Sequence, residues 1–160
     1  GKIRVAPPAG LRLRLPADRI ATVLPLAGKR LDVGGAGLTL GAPSVHALVP
    51  AASLDARLVV VKLTDVPRRD HPELGRSSLD RTAMEGRVRD ELARQLAKIG
   101  VKAIAELRGH GRMTVAGRTV VGFSVRVGGL DADASIALQT HGLGGKRRMG
   151  CGVFRATRGR

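Results

Sequence analysis

From Arg57 onward the spacing of apolar residues switches between a period of two and a period near 3.6, and the order of the switches restricts the fold. Arg57 to Leu63 contains the β-branched run Leu58-Val59-Val60-Val61, suited to a buried strand. Pro67 to Ser78 is polar, with two prolines and a glycine, and reads as a mobile loop. Thr82-Ala-Met-Glu85 has the form of a capping box, and Met84, Val88, Leu92, Leu96 and Ile99 continue as an apolar stripe at helical spacing. Gly100 stands where a helix C′ residue belongs. Val101 to Leu107 alternates weakly. Met113 to Val127 holds two alternating runs around Ala116-Gly117, which predicts a hairpin. Asp131 can cap a short helix running through Gln139, and Cys151 to Ala156 closes as a strand. Strand, helix, strand, strand, helix, strand is the ferredoxin-like arrangement.

The first third reads as part of a second such unit. Leu11-Arg-Leu-Arg-Leu15 alternates strictly, which predicts a half-buried strand with Arg12 and Arg14 on one face. Ala17 to Leu24 reads as a short helix after Pro16, stopped by Pro25. Arg30 to Gly41 reads as a hairpin, with Leu31 and Val33 before Gly34-Gly35 and Leu38 and Leu40 after it. Residues 42–55, with Pro43 and Pro50, read as a linker. The expected class is α+β, with a partial ferredoxin-like (RRM-like) domain over 1–50 and a complete one over 51–160.

Composition narrows the chemistry. Lys and Arg number 28 against 13 Asp and Glu, a net +15, and Arg supplies 22 of the 28. A planar guanidinium fork suits phosphate better than an ammonium does, so a polyanion, nucleic acid first, is the expected partner. With two Phe, no Tyr and no Trp, bases cannot stack on a row of sheet aromatics. One cysteine and four scattered histidines give no zinc-ligand spacing, and neither metal nor cofactor is expected. The longest aliphatic run, four residues at 58–61, is far short of a membrane span. No signal peptide is legible after Gly1, so a cytoplasmic location is the expectation.

The segment Gly142-Leu-Gly-Gly-Lys-Arg-Arg-Met-Gly-Cys-Gly152 concentrates glycines around three consecutive cations. Glycines at 142, 144 and 145 permit positive φ and close approach, so successive N–H groups can face an anion beside Lys146, Arg147 and Arg148. Ala134 to Arg160 contains six Lys or Arg and no acid. A flexible turn with solvated charges is the alternative. The glycine and lysine spacing is not that of a P-loop, and no Ser or Thr follows the lysine.

A glycine-rich basic loop between the last helix and last strand of a ferredoxin-like domain resembles the CRISPR-associated repeat RNA-processing endoribonucleases. These form the sixth Cas family, within the repeat-associated RNA-binding superfamily. Gly122-Phe-Ser-Val, Leu130, Ser135, Leu138-Gln139 and the run from Gly142 to Phe154 look like the short variants of type I systems. Leu11 to Pro16, Leu26-Ala-Gly-Lys-Arg-Leu31 and Leu40-Gly41 resemble that subgroup's middle region. The family's first strand and helix, where its catalytic histidine often lies, have no counterpart before Leu11.

The resemblance implies metal-independent cleavage of a repeat stem-loop RNA to give crRNA. The ribose 2′-OH attacks the adjacent phosphate and leaves a 2′,3′-cyclic phosphate. It also implies a protein that stays with its product alongside other Cas proteins. Such a reaction needs a base near neutrality and cations against the developing charge. His110, in Arg108-Gly-His-Gly-Arg112, is the candidate base, with Arg108 and Arg112 as phosphate holders; a turn histidine with solvated neighbours is the plainer reading. His141 either contacts RNA or serves as the cation at a helix C-terminus. Arg12 and Arg14 either touch RNA or line a solvated face. Cys151 reads as a small buried residue, and Arg87, Arg89, Arg94 and Lys98, interleaved with Glu85, Asp90 and Glu91, as a solvated helix face. Two alternatives stand beside the endoribonuclease: a non-catalytic RNA-binding subunit of a CRISPR effector complex, and a ribosomal-type RNA-binding protein.

Overall fold

A computed structural model describes residues 12–33, 35–63, 78–115 and 117–157. The chain divides into two compact units, Gly1–Ala47 and Leu48–Arg160.

In the first unit a short helix α1 (Ile20–Val23) lies between two 3-10 turns, Ala17–Arg19 and Leu24–Leu26. Pro25 does not end this segment. It sits in the first turn of the second 3-10 stretch, where a missing N–H leaves no bond unmade. The expected hairpin forms from β1 (Arg30–Val33) and β2 (Ala36–Thr39), with Leu31 opposite Leu38. The carboxylate of Asp32 accepts the Gly35 N–H at 2.9 Å to close the turn. The strand expected over 11–15 is not formed at Arg12–Leu15, and Leu11 lies outside the described residues. Alternation marks a face, but a strand also needs a neighbour to take its backbone bonds.

The second unit is a four-stranded antiparallel sheet with two helices. Its elements are β3 (Ser53–Val59), α2 (Ser78–Lys98), β4 (Ala105–Val115), β5 (Arg118–Gly128), α3 (Ala132–His141) and β6 (Phe154–Ala156). The strand order is β4-β5-β3-β6, the ferredoxin-like topology with the first and third strands of the unit at its centre. Leu54, Ala56 and Val59 of β3, Phe123, Val125 and Val127 of β5, and Phe154 of β6 are buried. Val88, Leu92 and Leu96 of α2 and Leu138 of α3 complete one apolar cluster with them.

Several boundaries differ from the sequence reading, β4 among them, which runs unbroken over Ala105–Val115 and takes in the expected turn at His110. β3 begins at Ser53, inside the expected linker, because Leu54 and Ala56 are already paired on both sides, to β5 and β6. Its register shifts between Ala56 and Val59, and Val60 and Val61 lie beyond the strand. Helix α2 begins before Thr82, so Thr82-Glu85 is no capping box; Glu85 instead meets Arg89 one turn on, at 3.2 Å. The loop expected over 67–78 falls outside the described residues up to position 77. β6 is only three residues long, because Cys151 and Gly152 belong to the loop before it.

Two helix ends follow the sequence reading, the C-terminus of α2 and the N-terminus of α3. At the C-terminus of α2, Gly100 has φ +75°, its N–H bonds to Ala97 O, and the Val101 N–H bonds to Leu96 O, a Schellman closure. At the start of α3 the Asp131 carboxylate accepts the Ala134 N–H at 2.7 Å. Two buried polar side chains of α3 tether the chain entering β3. Ser135 Oγ accepts from Ala51 N–H at 2.9 Å, and Gln139 Nε2 donates to Val49 O at 2.8 Å. No helix among the described residues is long and apolar enough to cross a membrane.

Leu96 is 1% exposed and Met84, at the outer end of the same stripe, is 48% exposed. Leu96→Ala is therefore expected to lower unfolding free energy by about 2–5 kcal/mol in urea titrations, and Met84→Ala to change it by under about 0.5 kcal/mol.

Candidate nucleic-acid interface

The loop from Gly142 to Gly152 lies beside the end of β3, in continuation of the position that β6 takes along Leu54–Ala56. The Gly145 N–H donates to Val60 O at 2.8 Å and the Gly152 N–H to Leu58 O at 2.7 Å. The Gly142 N–H donates to Leu138 O and closes α3. The Gly144 N–H donates to the side-chain Oε1 of Gln95, on α2, at 2.7 Å. Inside the loop, Leu143 N–H bonds to Gly152 O, Met149 and Cys151 N–H to Lys146 O, and Gly150 N–H to Arg147 O.

These bonds correct the expected role of the glycines. The amides of 142–145 and 149–152 all donate within the protein, so they do not form a nest for an anion. The glycines are required by packing instead. Gly152 has φ +65°, and a Cβ there would sit 1.8 Å from Leu143 O; at Gly144, φ +75°, it would sit 2.6 Å from Val60 O.

What the loop offers outward is side chains. Lys146 takes a left-handed conformation (φ 57°) that starts the 3-10 turn Arg147–Met149, and Lys146, Arg147 and Arg148 are all exposed. The Arg147 guanidinium folds back and donates to His141 O, at the negative end of α3. Lys146 and Arg148 are the cations that project. His141 is exposed as the last residue of α3. Cys151 is 1% exposed, and burial holds its thiol above the ordinary range against a smaller opposing pull from Lys146.

His110 lies on β4 opposite Phe123, with the two rings 4.6 Å apart and tilted by 47°. Phe123 faces the core, so the exposed His110 is on the helix-bearing side of the sheet; Arg112, opposite Val121, follows on that side. Arg108 does not join them. It reaches Glu106 at 3.4 Å on the opposite side, next to a register shift between Leu107 and Gly109. There Glu106, Arg126, Asp55 and Arg155 form one cross-strand row of alternating sign. Arg126 holds Asp55 through two bonds of 2.7 and 2.9 Å, and its guanidinium keeps that carboxyl below the usual carboxylate range.

The loop and His110 are three strand steps apart: Gly145 beside Val60, Val59 beside Phe123, Phe123 beside His110. At about 4.8 Å per step this is about 14 Å between backbones, within one short RNA segment but beyond one phosphate. Arg12 and Arg14 belong to the other compact unit and are exposed. Sequence reasoning missed Gln95 and the Asp55–Arg126 pair. The one hint of Gln95 is a polar residue between Leu92 and Leu96 on the buried edge of α2.

The Cys151 environment predicts slow alkylation: iodoacetamide at pH 8 is expected to label the folded protein at least about tenfold more slowly than the urea-unfolded chain.

The family model for the Cas6 CRISPR proteins matches residues 1–159. The chain is 38% identical over 144 residues to the CRISPR-associated endonuclease Cas6 of Myxococcus xanthus (strain DK1622), covering 90% of this chain and 55% of that protein. It thus spans about half the length of the curated relative it matches.

Proposed function

The chain belongs to the Cas6 family of CRISPR proteins, and on that footing we propose that it binds a CRISPR repeat stem-loop and cuts the precursor into crRNA. Lys146 and Arg148 hold the phosphate backbone from a loop fixed by its own amides, and this rigid cationic loop is the observation that carries the reading. Fixed cations lose little freedom when a phosphate arrives, which is why a tied-down loop serves an electrostatic contact better than a loose one. Arg147 supports the loop from within through His141 O. The ribosomal-type alternative falls with the family assignment.

For the cut, His110 is the proposed base. It removes the proton of a ribose 2′-OH, the oxygen attacks the neighbouring phosphorus, and the 5′-oxygen leaves and takes a proton from water, giving a 2′,3′-cyclic phosphate and a 5′-OH without a metal. An imidazole is the side chain whose ordinary pKa lies near neutrality, and Arg112 on the same side of the hairpin meets the charge that develops on the phosphate. Residues 1–50 are read as the back half of a first ferredoxin-like unit, and the product-bound protein as a subunit beside other Cas proteins. Arg108 is turned away to Glu106, which leaves His110 with one of the two arginines expected to flank it, and this favours a second reading, an RNA-binding subunit that does not cut.

Two experiments test this. In excess EDTA the protein is expected to cut a repeat stem-loop once and leave a cyclic phosphate, and His110→Ala to slow the cut by about 100-fold or more with Kd nearly unchanged. Tight binding with no cut supports the non-catalytic reading, and full activity in His110→Ala places the base elsewhere. In the second, Lys146→Ala with Arg148→Ala is expected to weaken binding and reduce the slope of log K against log salt by about 1.5. An unchanged slope would remove the loop from the RNA site.

A further inference from the structure

The Gly144 amide is the one loop donor satisfied by a side chain from a helix. Its backbone lies so close to Val60 O that only a glycine fits, and the Gly145 and Gly152 amides of the same loop are bonded to Val60 O and Leu58 O. Gln95 is held in one orientation. Its Nε2 donates to Glu91 Oε1 at 2.7 Å, so its Oε1 must face the Gly144 N–H, and the reversed amide would set N–H against N–H and oxygen against carboxylate. Glu91 in turn accepts from Nε and Nη2 of Arg94 at 2.8 and 2.7 Å. Arg94, with Gln95 second, holds the Glu91 carboxyl down at about 2, so the chain keeps its polarity at all ordinary pH values. Gln95 sits half-buried between the fully buried Leu92 and Leu96, which fixes where its side chain starts.

We infer that Gln95 is a positioning residue for the basic loop: it fixes the Gly144 peptide from α2 and thereby sets the direction in which Lys146 and Arg148 meet RNA. The inference rests on the RNA reading above and deepens it, because the relay Arg94–Glu91–Gln95–Gly144 places part of the control of a loop-borne contact on a helix outside the loop. Removing Gln95 leaves a donor without its partner two residues before Lys146, and the loop then relaxes toward water at that point.

The test measures repeat stem-loop Kd for the full chain and three sets of variants, each checked for folding by circular dichroism. Gln95→Ala is expected to raise Kd by about five- to tenfold. Gln95→Glu keeps the acceptor for Gly144 but faces the Glu91 carboxylate, and is expected to lose a similar factor. The exchange Glu91→Gln with Gln95→Glu restores a donor–acceptor pair in the opposite sense, and is expected to return Kd to within about twofold of the wild type. A role confined to stability would leave the Kd of the folded variants unchanged, so Gln95→Ala binding within twofold of wild type overturns the inference alone. Failure of the exchange to restore affinity lost in Gln95→Glu also overturns it. A wild-type protein that does not bind the stem-loop overturns the RNA reading, and this inference with it.

Discussion

The arrangement at the open end of the second unit depends on how β3 shares one of its edges. Along Leu54–Ala56 that edge is paired with β6, and further along the chain the carbonyls of Leu58 and Val60 accept from Gly152 and Gly145. Central strands cannot leave their carbonyls bare without cost. The loop therefore completes the ladder that a three-residue β6 is too short to finish. Because its backbone is committed to this task, its outward face consists of side chains, and the three cations at 146–148 sit where the loop turns away from the sheet.

The same economy shapes the charge. The side of the sheet opposite the helices carries as many acids as arginines in its cross-strand row, with Arg126 bound by Asp55 and Arg108 by Glu106. The stretch from Ala134 to Arg160 carries no acid, so the cations of the loop have no carboxylate of their own segment to neutralise them. The 28 cations are therefore placed unevenly: some pair with carboxylates inside the fold, and the loop keeps its charge for a polyanion.

Much of the second unit was legible because its signals are local. Period-two runs, the stripe Val88–Leu92–Leu96, Gly100 in its C-cap and Asp131 at its N-cap each act within one element, and together they give the ferredoxin-like order. The failures are of another kind. Arg12–Leu15 alternates as a strand would, yet strand formation is decided by a partner elsewhere in the chain. β3 starts early because Leu54 and Ala56 are specified by β5 and β6, whereas Val59–Val61 carries the stronger local propensity. At the interface, the cations were legible from their run, but the destination of the glycine amides was not. Whether an N–H faces an anion or a carbonyl depends on what packs behind it, here Val60 and Gln95.

Amide hydrogen exchange over residues 142–152, with and without a repeat stem-loop, tests most directly whether the loop presents its side chains and keeps its backbone for itself. The account predicts that the amides of 142–145 and 149–152 are protected in the free protein and that RNA changes them little. Fast exchange in the free protein, replaced by strong protection when RNA binds, would contradict it and return those amides to the role of an anion nest.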